Sequence, residues 1–207
     1  GDGGKVSVNG TVYEDADVYA FVKNNGGKVA VYKENLYKPM PGYRFIASNT
    51  DRSRYYVGEL NGKSSKQAYM DALHISESNI INQTFHNPLG KMNGQDICII
   101  SLKEVSGNGL CCYRQVNDSD VLVLLEEQDY NEILDETLQR IRRDFNHISG
   151  VFSINCVFRY LLFSQEHHME DYLKTMSTLG DHAGLIGFGE HYNQQFVNQT
   201  MTCVVFE

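Results

Sequence analysis

Cys156 and Arg159 stand three residues apart in the run Phe152-Ser153-Ile154-Asn155-Cys156-Val157-Phe158-Arg159. A thiol, an amide and a guanidinium this close suggest two chemistries. Arg159 can grip a carboxylate with two parallel hydrogen bonds. Cys156 can act as a nucleophile if a base such as histidine lies beside it and a third group orients that base. His147, His167, His168 and His182 fall in the same half of the chain, none at a diagnostic spacing. Apolar strands of α/β-type sheets commonly end in such polar clusters where they receive ligands. The competing reading is an ordinary strand-to-helix loop with an exposed arginine.

A second stretch is Gly184-Leu185-Ile186-Gly187-Phe188-Gly189-Glu190, followed by Asn198-Gln199-Thr200. Read as one strand, Gly187 and Gly189 share a face and leave room for a ligand or another backbone. Glu190 then ends the strand on the opposite face. The alternative is that the glycines admit a helix or make a bulge and Glu190 is solvated. The spacing is not the dinucleotide fingerprint, which needs three glycines opening a helix after a strand.

Other candidates are weaker. On a helix, His167 and Asp171 are four apart and able to chelate, but two ligands make no metal site. Cys111 and Cys112 on a strand point to opposite faces and read as core. There is no phosphate-binding loop, no nucleophile elbow and no paired carboxylates at a recognisable spacing. Asn-x-Ser/Thr triplets, among them those at Asn82, Asn117 and Asn198, match a pattern that is common by chance.

The elements that position these residues read as α+β: a mixed or mainly antiparallel sheet covered by amphipathic helices. Strands are expected over residues 5–8, 18–22, 28–32, 43–47 and 55–60. Turns fall at Asn9-Gly10, at residues 24–27 and at Asn61-Gly62. Residues 39–42, Pro-Met-Pro-Gly, break the chain. Ser64 caps a helix over residues 65–73. Residues 86–90 form an extended loop. Residues 96–102, 110–115 and 120–125 form an antiparallel meander. Asp129 and Glu132 make a capping box ahead of the stripe Ile133, Leu134, Leu138, Ile141 and Phe145. Residues 151–155 form a buried strand. Ser164 caps a last helix carrying Met169, Tyr172, Leu173 and Met176, which ends near Gly180. Residues 184–190 and 201–206 are the final strands.

Composition limits the function classes. The net charge of −8 argues against a general nucleic-acid binder, which needs a basic face. Arg140, Arg142 and Arg143 cluster at a helix end, where cations oppose the negative pole of the helix dipole. The five cysteines form no CxxC pair and read as reduced, mostly buried thiols. No apolar run approaches 18 residues, so no membrane contact is expected. Gly1 is read as a remnant of tag cleavage, which would make the chain a fragment of a longer protein.

The run Phe152-Ser153-x-x-Cys156-x-x-Arg159, then Ala183-Gly184-x-x-Gly187-x-Gly189-Glu190 and Asn198-x-Thr200, resembles the C-terminal half of FIST sensory domains. Asn155 is inserted before Cys156 relative to that pattern, and Phe158 stands where a glycine is usual. Glu59-Leu60-Asn61-Gly62-Lys63 resembles the segment that opens this half. The resemblance implies a C-terminal-like domain over residues 59–207 and, over residues 1–58, a β-rich tail of the N-terminal half.

It further implies a non-catalytic, cytoplasmic input module that binds a small molecule, amino acids being the suggested class, and biases a signalling output domain or partner. No cofactor or metal is implied. The expected ligand-binding residues are Ser153, Asn155, Cys156, Arg159, Gly187, Gly189, Glu190, Asn198 and Thr200, with Arg159 taking the ligand's charge and the glycines giving clearance. A thiol-dependent enzyme using Cys156 and a protein-interaction scaffold are the alternatives.

Overall fold

The computed structural model describes residues 4–94 and 96–207, so the reading of Gly1 lies outside the described residues. The chain opens with a hairpin, β1 (Lys5–Val8) and β2 (Thr11–Glu14), turning at Asn9-Gly10. Then come β3 (Val29–Asn35), the long β4 (Tyr37–Asp51), β5 (Tyr56–Leu60) and β6 (Lys63–Ser64). Two helices follow, α1 (Ser65–Leu73) and α2 (Ile80–Gln83). Strands β7 (Leu89–Asn93), β8 (Asp96–Ile100), β9 (Leu102–Ser106), β10 (Gly109–Cys112) and β11 (Val121–Glu127) lead to α3 (Tyr130–Asp144). The last third contains β12 (Gly150–Cys156), α4 (Val157–Gln165), α5 (Met169–Met176), β13 (His182–Gly187), the hairpin β14 (Glu190–Tyr192) and β15 (Gln195–Val197), and β16 (Thr200–Phe206).

These strands form two main sheets. The larger runs β8-β7-β11-β4-β5-β10-β9, with β6 paired to β5. The smaller runs β13-β12-β16-β3. Among the described residues only β12 and β13 pair in parallel. A parallel pair needs a crossover, and α4 with α5 supplies it. The class is α+β with mostly antiparallel, mixed sheets.

Local chemistry explains the frame. Ser64 Oγ accepts from Gln67 N and starts α1. Asp129 accepts from the amides of Asn131 and Glu132 at 2.9 and 3.1 Å and starts α3, which buries Leu134, Leu138 and Ile141. Arg142 and Arg143 occupy its last turn, as the charge pattern predicts. One apolar cluster lies between the small sheet and α3, α4 and α5; a second lies under the large sheet with α1 and α2.

Several expectations are corrected. The Pro-Met-Pro-Gly segment does not break the chain: β4 runs through it, and residues 40–43 bulge opposite Leu124 of β11. Residues 18–22 are β-prone but pair with nothing and stay exposed. The meander is not formed, because β8 pairs β7, β10 lies between β5 and β9, and β11 lies between β4 and β7. Leu89 and Gly90 belong to β7 rather than to a loop. Residue 58 itself lies within β5, and β3, which precedes it, is a member of the small sheet.

Candidate functional site

The site begins with β12. Along it Val151, Ser153 and Asn155 are buried on the helix side, Phe152 and Ile154 face the other way, and Cys156, which alternates with them, is buried at the strand end. Helix α4 starts at Val157 with no loop between. Its buried residues are Arg159, Leu162 and Phe163, an i, i+3, i+4 stripe with an arginine in an apolar position. Ser164 therefore lies inside α4, its Oγ donating to the Tyr160 carbonyl, and does not cap α5.

Arg159 is not free for a ligand. It is 1 % exposed, and its Nη2 donates to Oε1 of Glu34, a buried residue of β3. Its guanidinium also lies over the rings of Phe163 and Tyr172, at 4.6 and 5.5 Å from their centroids. Nε and Nη1 of Arg159 and Oε2 of Glu34 have no hydrogen-bond partner among the described residues.

Glu190 does not end a strand with the glycines. β13 stops at Gly187, the chain reverses through Phe188 and Gly189, and Glu190 opens β14. Gly189 has φ +112°, so it and Gly187 do not share a strand face. The reversal brings Glu190 inward, to 3 % exposure. Its Oε2 accepts from Thr200 Oγ1 at 2.6 Å, and Oε1 has no partner among the described residues. Burial pushes its pKa up to about 7, although Thr200, Cys156 and Arg159 all favour the charged form.

Cys156 lies against this carboxyl. Burial, then the Glu190 charge, push its thiol up to about 11. That is opposite to an activated nucleophile. Asn198 is buried beside the reversal, with its amide nitrogen unpartnered among the described residues. Cys156, Arg159, Glu190, Asn198 and Thr200 thus belong to one buried region at the carboxyl end of β12. It is closed to solvent.

Ser153 and Asn155 serve a different space. A cleft of about 410 Å³ lies between α4, α5 and the edge strand β13. Ser153 and Asn155 line it together with Tyr172 and His182, and Met169, Leu173 and Ile186 make its apolar wall. Ser153 Oγ and His182 Nε2 are 2.8 Å apart, and burial lowers the His182 pKa. Asn155 Nδ2 donates to Tyr172 Oη at 3.0 Å; its Oδ1 is unpartnered among the described residues. Gly184 lets the strands approach here: a Cβ on it would lie 2.5 Å from Ser153 Oγ. Gly187 is at the far end of the same strand and does not line the cleft.

Residues 66–193 match the family model of the FIST C domain, more than half of the chain. The chain belongs to the FIST C domain family. FIST domains are sensory modules of signalling proteins. The matched FIST C segment includes β12, α4, α5, β13 and Glu190, and ends before Asn198 and Thr200. Comparison with curated proteins and with solved structures gave no match.

Two residues of the buried region carry little or no signal in the sequence. Glu34 was signalled only by alternation, since it shares an inward face of β3 with Tyr32. Gln199 carried no signal. It is fully buried at φ +53°, donates to Tyr37 Oη at 2.9 Å and accepts from Ser101 Oγ at 2.6 Å. It joins the small sheet to the large one. His167 lies before α5 with positive φ, so His167 and Asp171 do not share a helix. Among the described residues no helix is long and apolar enough to cross a membrane.

Proposed function

We propose that this chain is the small-molecule-binding part of a sensory input module, acting by population shift on an output domain or partner protein. The observation that carries the reading is the continuity between cleft and interior. Asn155 and Tyr172 form the cleft floor, and the Arg159 guanidinium lies behind the Tyr172 ring. A ligand that moves Tyr172 disturbs the Arg159–Glu34 pair, which ties α4 to β3. Differential affinity for the two arrangements biases whatever is attached.

In this reading Ser153 and Asn155 contact the ligand. Cys156, Arg159, Glu190, Asn198 and Thr200 are the buried responding layer, and Gly187 and Gly189 frame the reversal that places Glu190 within it. Amino acids, the class the FIST resemblance implies, would use Arg159 for their carboxylate only after Glu34 released it. The five free cysteines, four of them buried, suit a reducing, cytoplasmic setting. The thiol-enzyme reading loses ground to the raised Cys156 pKa.

A scaffold role for the opposite face is the second reading. Val31, Phe152 and Leu185 are each at least 40 % exposed on the outer side of the small sheet.

A thermal-shift screen of amino acids, small carboxylates and neutral small molecules tests the sensory reading. A binder at about a hundredfold excess over its Kd stabilises by about 2.7 kcal/mol. A flat response from the whole library, with both FIST halves present, overturns it.

A further inference from the structure

The cleft between α4, α5 and β13 has a chemistry of its own. Among the described residues its lining contains no Asp, Glu, Lys or Arg. A charged ligand would be desolvated there without a counter-charge, which is strongly unfavourable. The walls are apolar: Leu173 and Ile186 line the cleft and are 47 % and 48 % exposed, so their side chains are open to an apolar ligand. The volume of about 410 Å³ falls within the roughly 300–1,000 Å³ of small-molecule sites.

The floor is polar and already shaped. Asn155 is 7 % exposed, and its Nδ2 is committed to Tyr172 Oη. That bond fixes the amide orientation and leaves Oδ1 as an acceptor with no donor among the described residues. A buried carbonyl without a donor is unfavourable, so it favours whatever brings one. Ser153 and His182 satisfy each other beside it, and burial holds the imidazole toward its neutral form.

We propose that this cleft binds an uncharged molecule with an apolar body and an O–H or N–H group, the donor being received by Asn155 Oδ1. The apolar body packs on Met169, Leu173 and Ile186. Free amino acids and carboxylates are disfavoured at this site, because Arg159 is engaged by Glu34 behind Tyr172. The inference rests on the sensory reading only for the existence of a ligand; the site and its charge preference come from the cleft.

Size-matched probes test it: 4-methylpentanamide and 4-methylpentan-1-ol against 4-methylpentanoate and leucine. Each is titrated into the ¹⁵N-labelled chain and followed by amide chemical shifts. The amide and the alcohol are expected to give saturable shifts in α5 and β13, with the two acids at least about tenfold weaker. Asn155→Leu removes the acceptor at similar volume and is expected to weaken the amide and alcohol by about tenfold. If that variant does not fold, Leu173→Lys serves, since the position is half-exposed; it is expected to turn the preference toward 4-methylpentanoate.

Equal binding of acid and amide overturns the charge argument. Saturable shifts outside α4, α5 and β13 overturn the site while leaving the sensory reading standing. No response to any of the four overturns the cleft as a site, and the wider thermal-shift library then decides the sensory reading separately.

Discussion

Arg159 on α4 and Glu34 on β3 pair with each other in the interior, 125 residues apart in sequence and both almost wholly buried. Burying two charges carries a desolvation penalty that a well-placed pair only offsets, whereas removing one partner leaves a lone buried charge. Arg159→Met or Glu34→Leu alone is therefore expected to destabilise the fold by about 3–5 kcal/mol. The double replacement Glu34→Leu with Arg159→Met should recover most of that loss. Urea unfolding of the three variants checks it. Strictly additive losses in the double variant would mean that the two side chains do not act as a pair.

Glu190 makes stability depend on pH. Its folded pKa, about 7, lies above the ordinary value of 4.5, so the folded chain binds the proton more tightly than the unfolded chain. The resulting stabilisation is fully present below pH 4.5, declines between the two values and is gone once the pH has passed about 7. A difference of this size corresponds to roughly 3 kcal/mol. Glu190→Gln keeps an oxygen for Thr200 and cannot ionise. It should flatten the unfolding free energy between pH 5 and 8 and exceed the parent in stability at pH 8. Parallel pH profiles for parent and variant would contradict this.

The reversal at Gly189 is strict. A Cβ there would lie 2.6 Å from Phe196 Cζ and 3.0 Å from Asn198 Oδ1, at a φ of +112° that side-chain-bearing residues rarely adopt. Gly189→Ala is expected to lower stability by about 1–3 kcal/mol. Adding Phe196→Ala removes the clash but not the backbone strain, so thermal melts should show only partial recovery.

Much of this frame was legible in the chain. Capping at Ser64 and Asp129, the stripe of α3 and the buried strand β12 all follow from local patterns. The FIST-like motif groups Arg159, Glu190, Asn198 and Thr200 as parts of one pattern, which local propensity does not encode. Three things were hidden. Helix α4 was missed because its buried stripe contains Arg159, a residue that reads as exposed. The partner Glu34 was missed because pairing across 125 residues has no local trace. Strand order in the large sheet was missed because β10 and β11 pair with β5 and β4 rather than with each other, a choice made by tertiary packing.

Thiol reactivity separates burial from chemistry. Cys98 is only half-buried, whereas Cys156 is 2 % exposed with its pKa pushed to about 11. Brief treatment with iodoacetamide at neutral pH should modify Cys98 first and leave Cys156 intact until the chain unfolds. Peptide mass spectrometry reads this out. Selective early alkylation of Cys156 would revive a thiol-enzyme reading.

Hydrogen–deuterium exchange of the whole chain, with and without saturating 4-methylpentanamide, tests the coupling of cleft to interior most directly. The predicted result is slowed exchange in α5 and β13, extending through α4 to β3, because Tyr172 and the Arg159–Glu34 pair link them. Protection limited to other elements, or protection of β13 with β3 and α4 unchanged, would contradict the account.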